Sequence, residues 1–266
     1  MSDSIEKKLW VSARDGDEHE VSYLLRCCPN INVNWSENGW FDVLHIASHS
    51  GNVEVVKLLL AHPDIDVNSK DKNGQTPLLL GCWDGSVSIV NVLLNDPRVD
   101  VILDDNDGGT PLWNASWGGH HEVIEWLIAS GRDLGDVKNK KGRNWRDGKY
   151  YTAVEIARLY GSTKVVYLLE NFISDPLQTR HKLRVKLGML DELAAEVFAL
   201  IIFICDDLLL VKSSTSDSTT RFFTIASKLP MELQMILCHR VYDSEKEYIK
   251  QFESEEAFKS LYKKYT

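Results

Sequence analysis

Asp104-Asp105 and Asp206-Asp207 are carboxylate pairs, the residue type that performs general acid–base work, but each pair is consecutive. Neighbouring residues on a helix or strand diverge, so neither pair can share one substrate proton. Cys27-Cys28 and His120-His121 are metal-ligand types at the same unhelpful spacing. The five cysteines include no Cys-x-x-Cys pair, so a zinc signature is missing. Neither a G-x-S-x-G elbow nor an HExxH motif occurs. The Gly108-Gly109 pair stands alone and makes no phosphate-binding loop. The chain therefore reads as non-enzymatic, with no cofactor and no metal, and its chemistry is that of recognition.

Composition narrows what is recognised. The 266 residues are 44% hydrophobic and 26% charged, with a formal net charge of −9. That is ordinary globular composition, and its sign disfavours a duplex nucleic acid. The odd, scattered cysteines give no disulfide framework, and the polar start MSDSIEKKLW is no signal peptide. The longest apolar run, residues 197–205, is nine residues long and flanked by Glu196, Asp206 and Asp207. A membrane span needs ~20 apolar residues. The expected compartment is the cytoplasm, with the nucleus as the alternative.

The elements that position any site repeat. Gly51, Gly85 and Gly119 fall 34 residues apart, and Gly161 follows after 42. Val55-Val56, Ile89-Val90, Val123-Ile124 and Val165-Val166 keep the register, as do Pro29, Pro63 and Pro97. Ala13 and Val21 extend it backward into a degenerate first unit. Thr76-Pro77 and Thr110-Pro111 open a short helix: threonine caps free amides, and proline suits the first helical position. Gly85 and Gly119 end it. Ile89, Val90, Leu93 and Leu94 then carry a second helix at helical spacing.

Gly74-Gln75-Thr76-Pro77-Leu78, Gly109-Thr110-Pro111-Leu112 and Leu44-His45-Ile46-Ala47 resemble the ankyrin repeat, as do Gly119-His120 and Asp66-Val67-Asn68. Asp42-Val43 and Thr152-Ala153 depart from the Thr-Pro pattern, and Glu155 replaces the usual histidine. The resemblance implies an all-α fold, an α-solenoid of helix pairs with short β-hairpin fingers. The array is expected over 5–173, as a degenerate N-terminal unit and about four repeats, with an enlarged fourth finger at 137–151. It also implies a structural, hydrogen-bonding role for His45.

In such arrays partners usually sit on the concave face, at the residue two before each helix-ending glycine. Those positions are His49, Trp83, Trp117 and Leu159, flanked by the finger residues Trp40, Phe41, Lys72, Gln75, Asn106 and Gly109. Tryptophan is enriched at binding hot spots. The alternative for Trp83 and Trp117 is packing, one ring on the other. Trp126 falls on a core register of the second helix, with Leu58, Val92 and Leu168. The fourth finger is a second candidate surface. Residues 137–150 hold six basic residues and one acidic, while 1–173 holds 25 acidic and 17 basic. Lys140, Lys141, Arg143, Trp145 and Arg146 would meet an acidic or phosphorylated partner, pair internally with the array, or stay solvated.

Residues 174–266 read as a helical C-terminal domain or cap, with a low-complexity loop at 212–220. MLDELAAEVFAL and RFFTIASKLPMELQMILCHRV are similar to tails of small ankyrin proteins from mushroom-forming fungi, which implies architecture rather than function. Leu229, Pro230, Glu232 and Leu233, with Ile236 on the same helix, resemble an F-box opening. Poxvirus ankyrin proteins ending in a truncated F-box recruit substrates to a ubiquitin ligase. The function expected is binding of another protein on the concave face. The alternatives are a ubiquitin-ligase substrate adaptor and a structural scaffold capped by its tail.

Overall fold

The computed structural model describes residues 4–37 and 39–189, together with Gln234 and Cys238. The expected tail helices, the 212–220 loop and the F-box-like residues Leu229, Pro230, Glu232, Leu233 and Ile236 lie outside the described residues. The chain divides into two compact units, Met1–Leu183 and Arg184–Thr266. In the second unit Gln234 and Cys238 are helical and buried, and burial pushes the Cys238 thiol up to about 12.

The first unit is a stack of helix pairs: α1 (Ile5–Asp15) with α2 (Glu18–Cys27), α3 (Val43–His49) with α4 (Val53–Leu60), α5 (Pro77–Asp84) with α6 (Val87–Leu94), α7 (Pro111–Gly118) with α8 (His121–Ala129), and α9 (Ala153–Leu159) with α10 (Thr163–Ser174). Pro176 opens α11 (Pro176–Lys186) straight after. The first helices α1, α3, α5, α7 and α9 contact one another in order, and so do α2, α4, α6, α8 and α10. The result is two rows of helices with the core between them.

Each start and stop has a local cause. Thr76 Oγ1 accepts from the Leu79 amide, Thr110 Oγ1 from Trp113, and Asp42 from His45, despite the missing Thr-Pro pair. Thr152 and Glu155 form a reciprocal capping box, so the residue that replaces the usual histidine serves the helix start instead. Gly85 (φ 72°) and Gly119 (φ 74°) stop α5 and α7 in the left-handed region. Most of the predicted stripe is core: Val55, Val56, Ile89, Val90, Leu93, Leu94, Val123, Ile124 and Val165 are buried, joined by Leu59 and Leu127, while Val166 is half-buried. No α-helical turn can bury such a stripe alone, so stacking supplies its cover.

Trp126 departs from the expectation. It is only half-buried, like Leu58, Val92 and Leu168 at the same register. The position flanks the buried stripe, so a ring placed there keeps one side in water. The fingers also differ from uniform hairpins. Asp71 Oδ1 accepts from the Asn73 and Gln75 amides, and Asp105 Oδ1 from Asp107 and Gly109, so these two fingers are aspartate-organised turns. The enlarged finger has room for a regular antiparallel pair, β1 (Lys141–Arg143) with β2 (Tyr150–Thr152), in which Gly142 faces Tyr151. Adjacent fingers are tied by Asn106 N–H to the Asn73 carbonyl and Arg143 N–H to the Asp107 carbonyl, each at 2.9 Å. Among the described residues no helix is long and apolar enough to cross a membrane.

Candidate functional site

Trp83 closes α5 and Trp117 closes α7, on neighbouring first-row helices. Their rings stack, with centroids 4.3 Å apart and planes 14° from parallel. Both are half-buried. The strip continues into the enlarged finger. Trp145 lies 6.3 Å from Trp117, and Tyr160, at the end of α9, meets Trp117 edge-on at 5.4 Å. Trp145 is 62% exposed. Trp117 Nε1–H is buried and finds no acceptor among the described residues.

Arg146 sits inside this aromatic corner. Its guanidinium carbon lies 5.5 Å from the Trp117 centroid and 5.2 Å from those of Trp145 and Tyr160. The turn that carries it is fixed by Asn144, a buried side chain. Asn144 Oδ1 accepts from the Arg146 amide at 3.2 Å and from the Tyr160 hydroxyl at 3.3 Å. One amide therefore holds finger and helix end in register.

A second cluster lies on earlier repeats. Phe41 stacks on His45 at 5.9 Å and leans on His49 at 5.6 Å. His49 Nδ1 is 2.8 Å from Asp84 Oδ2, bridging α3 to α5 next to Trp83. Lys72 Nζ lies 5.1 Å from the ring of Trp40, which is 49% exposed. Trp10, from α1, donates to the Phe41 carbonyl at 2.8 Å.

The remaining candidates have other surroundings. The Gln75 carbonyl accepts from His45, and Asn106 Nδ2 donates to the Lys72 carbonyl, so both join fingers together. Gly109 is buried under Asp105, Asn114 and Trp113 and presents no surface. Lys140 Nζ pairs with Asp104 at 2.7 Å and holds that carboxyl below its ordinary range. Arg143 faces Asp107 at 3.6 Å. Leu159 and Lys141 line a shallow depression of ≈ 450 Å³ with Tyr150, Tyr151, Glu155 and Arg158. The structure thus gathers Trp83, Trp117, Trp145 and Arg146, and sets Leu159, Lys140 and Lys141 elsewhere. Tyr160 was missed by the register argument, because it sits one residue before its glycine rather than two. Among the described residues no group of three or more His, Cys, Asp or Glu could hold a metal ion.

His45 is structural. Its Nδ1 is 2.8 Å from Asp42 Oδ1 and its Nε2 is 2.9 Å from the Gln75 carbonyl. Burial opposes the charged ring, but Asp42 and the Gln75 carbonyl outweigh it and raise its pKa. Burial likewise pushes Asp42 up, and the His45 and Ser69 donors more than reverse that, leaving it lowered.

A family model described as ankyrin repeats, in 3 copies, matches residues 6–71 and 44–141. No curated protein matches the chain.

Proposed function

The chain belongs to the ankyrin-repeat family, and on that premise we propose that it binds a partner protein on the face formed by the first helices and fingers, with Trp83 and Trp117 at the centre. Ankyrin repeats generally mediate protein–protein interaction, and the family is typically non-enzymatic. The observation that carries the site assignment is the open aromatic strip. Trp83 and Trp117 stack yet stay half-exposed, and Trp145 extends the strip at 62% exposure. Trp113, one turn earlier on α7, is by contrast packed into the stack at 5% exposure. Buried aromatic anchors dominate binding energy, at about 2 kcal/mol or more each. The unpaired Trp117 Nε1–H is a further unsatisfied group in the strip, of the kind that folded chains seldom leave without a reason.

The test is affinity capture from native lysate with wild type beside Trp83→Ala/Trp117→Ala, after circular dichroism has established that both are folded. The face is the recognition surface if a partner held by wild type is lost from the double variant. Equal recovery by both proteins makes the tryptophans packing residues.

A further inference from the structure

Arg146 is the one cation of the enlarged finger that sits over three rings, and among the described residues its guanidinium has neither a carboxylate nor another acceptor. The contrast within the finger is sharp. Lys140 is taken by Asp104 and Arg143 faces Asp107. The adjacent Asp147 makes no ion pair with Arg146 among the described residues; its carboxylate accepts from the Tyr151 hydroxyl at 2.7 Å and the Lys149 amide at 3.0 Å. Resting on the face reading above, we propose that Arg146 is the receptor for a carboxylate, an Asp or Glu side chain of an acidic segment in the partner protein.

Guanidinium is a planar fork of five donors matched to a carboxylate's two oxygens. Ring contacts restrain the side chain by cation–π attraction without using any of those donors. Asn144 fixes the turn below it. The rotamer entropy that a free arginine would lose on binding is thereby already spent. Charge decides the sign of the ligand. Lys138, Lys141 and Lys149 share the finger, so the local field draws an anion and repels a second cation. A single guanidinium fits one carboxylate, whereas phosphorylated residues are commonly met by arginine clusters.

The experiment titrates the full chain with four short synthetic peptides of alternating glycine and glutamate, glutamine, phosphoserine or lysine, read by calorimetry and indole fluorescence. The glutamate peptide is expected to bind and the glutamine peptide not. Arg146→Gln and Arg146→Lys should each weaken glutamate binding by roughly 10-fold or more, the lysine variant because the fork is lost while the charge remains. Lys149→Gln, which removes the same charge from the same finger, should weaken it by only about 2-fold. Equal losses in Arg146→Gln and Lys149→Gln mean a diffuse field and overturn the site. Tighter binding of the lysine peptide, strengthened by Arg146→Gln, makes the corner a cation box with Arg146 as its plug, and also overturns it. Far tighter phosphoserine binding overturns the carboxylate assignment. The two readings separate in the lysate capture: a partner lost from Trp83→Ala/Trp117→Ala but retained by Arg146→Gln leaves the face standing and removes the carboxylate receptor.

Discussion

His120 Nε2 lies 2.9 Å from the main-chain carbonyl of Trp83, so the residue that opens α8 secures the end of α5 one repeat earlier. The imidazole fills the space where a Cβ on Gly85 would stand. Asn52, two repeats earlier, does the same service for the end of α1, donating to the Ala13 and Arg14 carbonyls at 2.8 and 2.9 Å. Gly16, Gly85 and Gly119 are thus contact points between repeats as well as left-handed stops, and Gly85 underlies the tryptophan strip.

Gly85→Ala should therefore destabilise the array more than Gly51→Ala. Both have φ near +72°, and the backbone strain alone is about 1–2 kcal/mol. Only Gly85 adds a clash, because nothing lies within 4 Å of a Cβ on Gly51. In a His120→Ala background the excess at Gly85 should vanish. Urea midpoints for the four proteins of that cycle measure the coupling, and additive effects would show that His120 and Gly85 are independent.

Trp83→Ala and Trp117→Ala should be coupled in stability by about 0.5–1.5 kcal/mol, the worth of an aromatic pair beyond its buried area. Arg146→Gln should cost no more than about 1 kcal/mol, since the residue is exposed and loses only cation–π contacts. Chemical denaturation of the two single tryptophan variants, their double variant and Arg146→Gln separates a strip that holds the fold from one that serves a ligand. A loss of several kcal/mol in either single tryptophan variant would place that ring in the core.

The repeat, its caps and its buried stripe were legible because each is a local rule sampled several times: Thr76 and Thr110 cap, Gly85 and Gly119 stop, Val55-Val56 and Ile89-Val90 recur. Single contacts between units were not. Trp83 and Trp117 share one register position, and spacing alone leaves stacking and binding equally open. The corner of Trp145, Arg146 and Tyr160 depends on how the eight extra residues of the fourth finger fold, and Asn144 decides that from inside. Trp126 and Trp113 show the same limit from the other side. Register placed Trp126 in the core, where it is half-covered, while Trp113 is buried beneath a glycine of the next finger.

Stability should peak in mildly acidic solution because of Asp42 and His45. The folded pKa of His45 is raised above its ordinary 6.5, so its contribution is complete below 6.5 and is lost as pH rises through the raised value. That of Asp42 is lowered from 3.8, so its contribution is present above 3.8 and is lost as pH falls through the lowered value. The urea midpoint should decline on both sides of that window. His45→Gln should flatten the alkaline limb and Asp42→Asn the acidic one. An unchanged alkaline limb in His45→Gln would assign that limb to another group.

Arg132 reaches back across a repeat boundary. Its guanidinium donates to the Leu94, Asp96, Pro97 and Val99 carbonyls, which end α6 and form the turn after it. Arg132→Lys keeps the charge but cannot span four acceptors, and should cost about 1–3 kcal/mol. Hydrogen exchange should locate the loss at residues 94–101 rather than in α8. Uniform loosening across the array would mean that the guanidinium stabilises through charge alone.

Gly142 is where the enlarged finger meets the stack, and it tests whether the finger's seat matters to the aromatic corner. A Cβ there would stand 2.8 Å from Trp113 Cε2 and 3.0 Å from the Gly109 Cα. Trp113 is itself anchored, its Nε1 donating to the Tyr151 carbonyl at 2.8 Å on the opposite strand. Neither the ring nor the backbone can retreat, so Gly142→Ala must lift β1 off α7, with a loss of about 1–3 kcal/mol. Because Asn144 and Arg146 follow directly on β1, the lift should also open the corner around Trp117. Indole fluorescence should then show Trp145 and Trp117 more solvated, with the helical signal retained. A destabilised variant whose fluorescence matches wild type would show that the corner is held from Asn144 and Tyr160 alone.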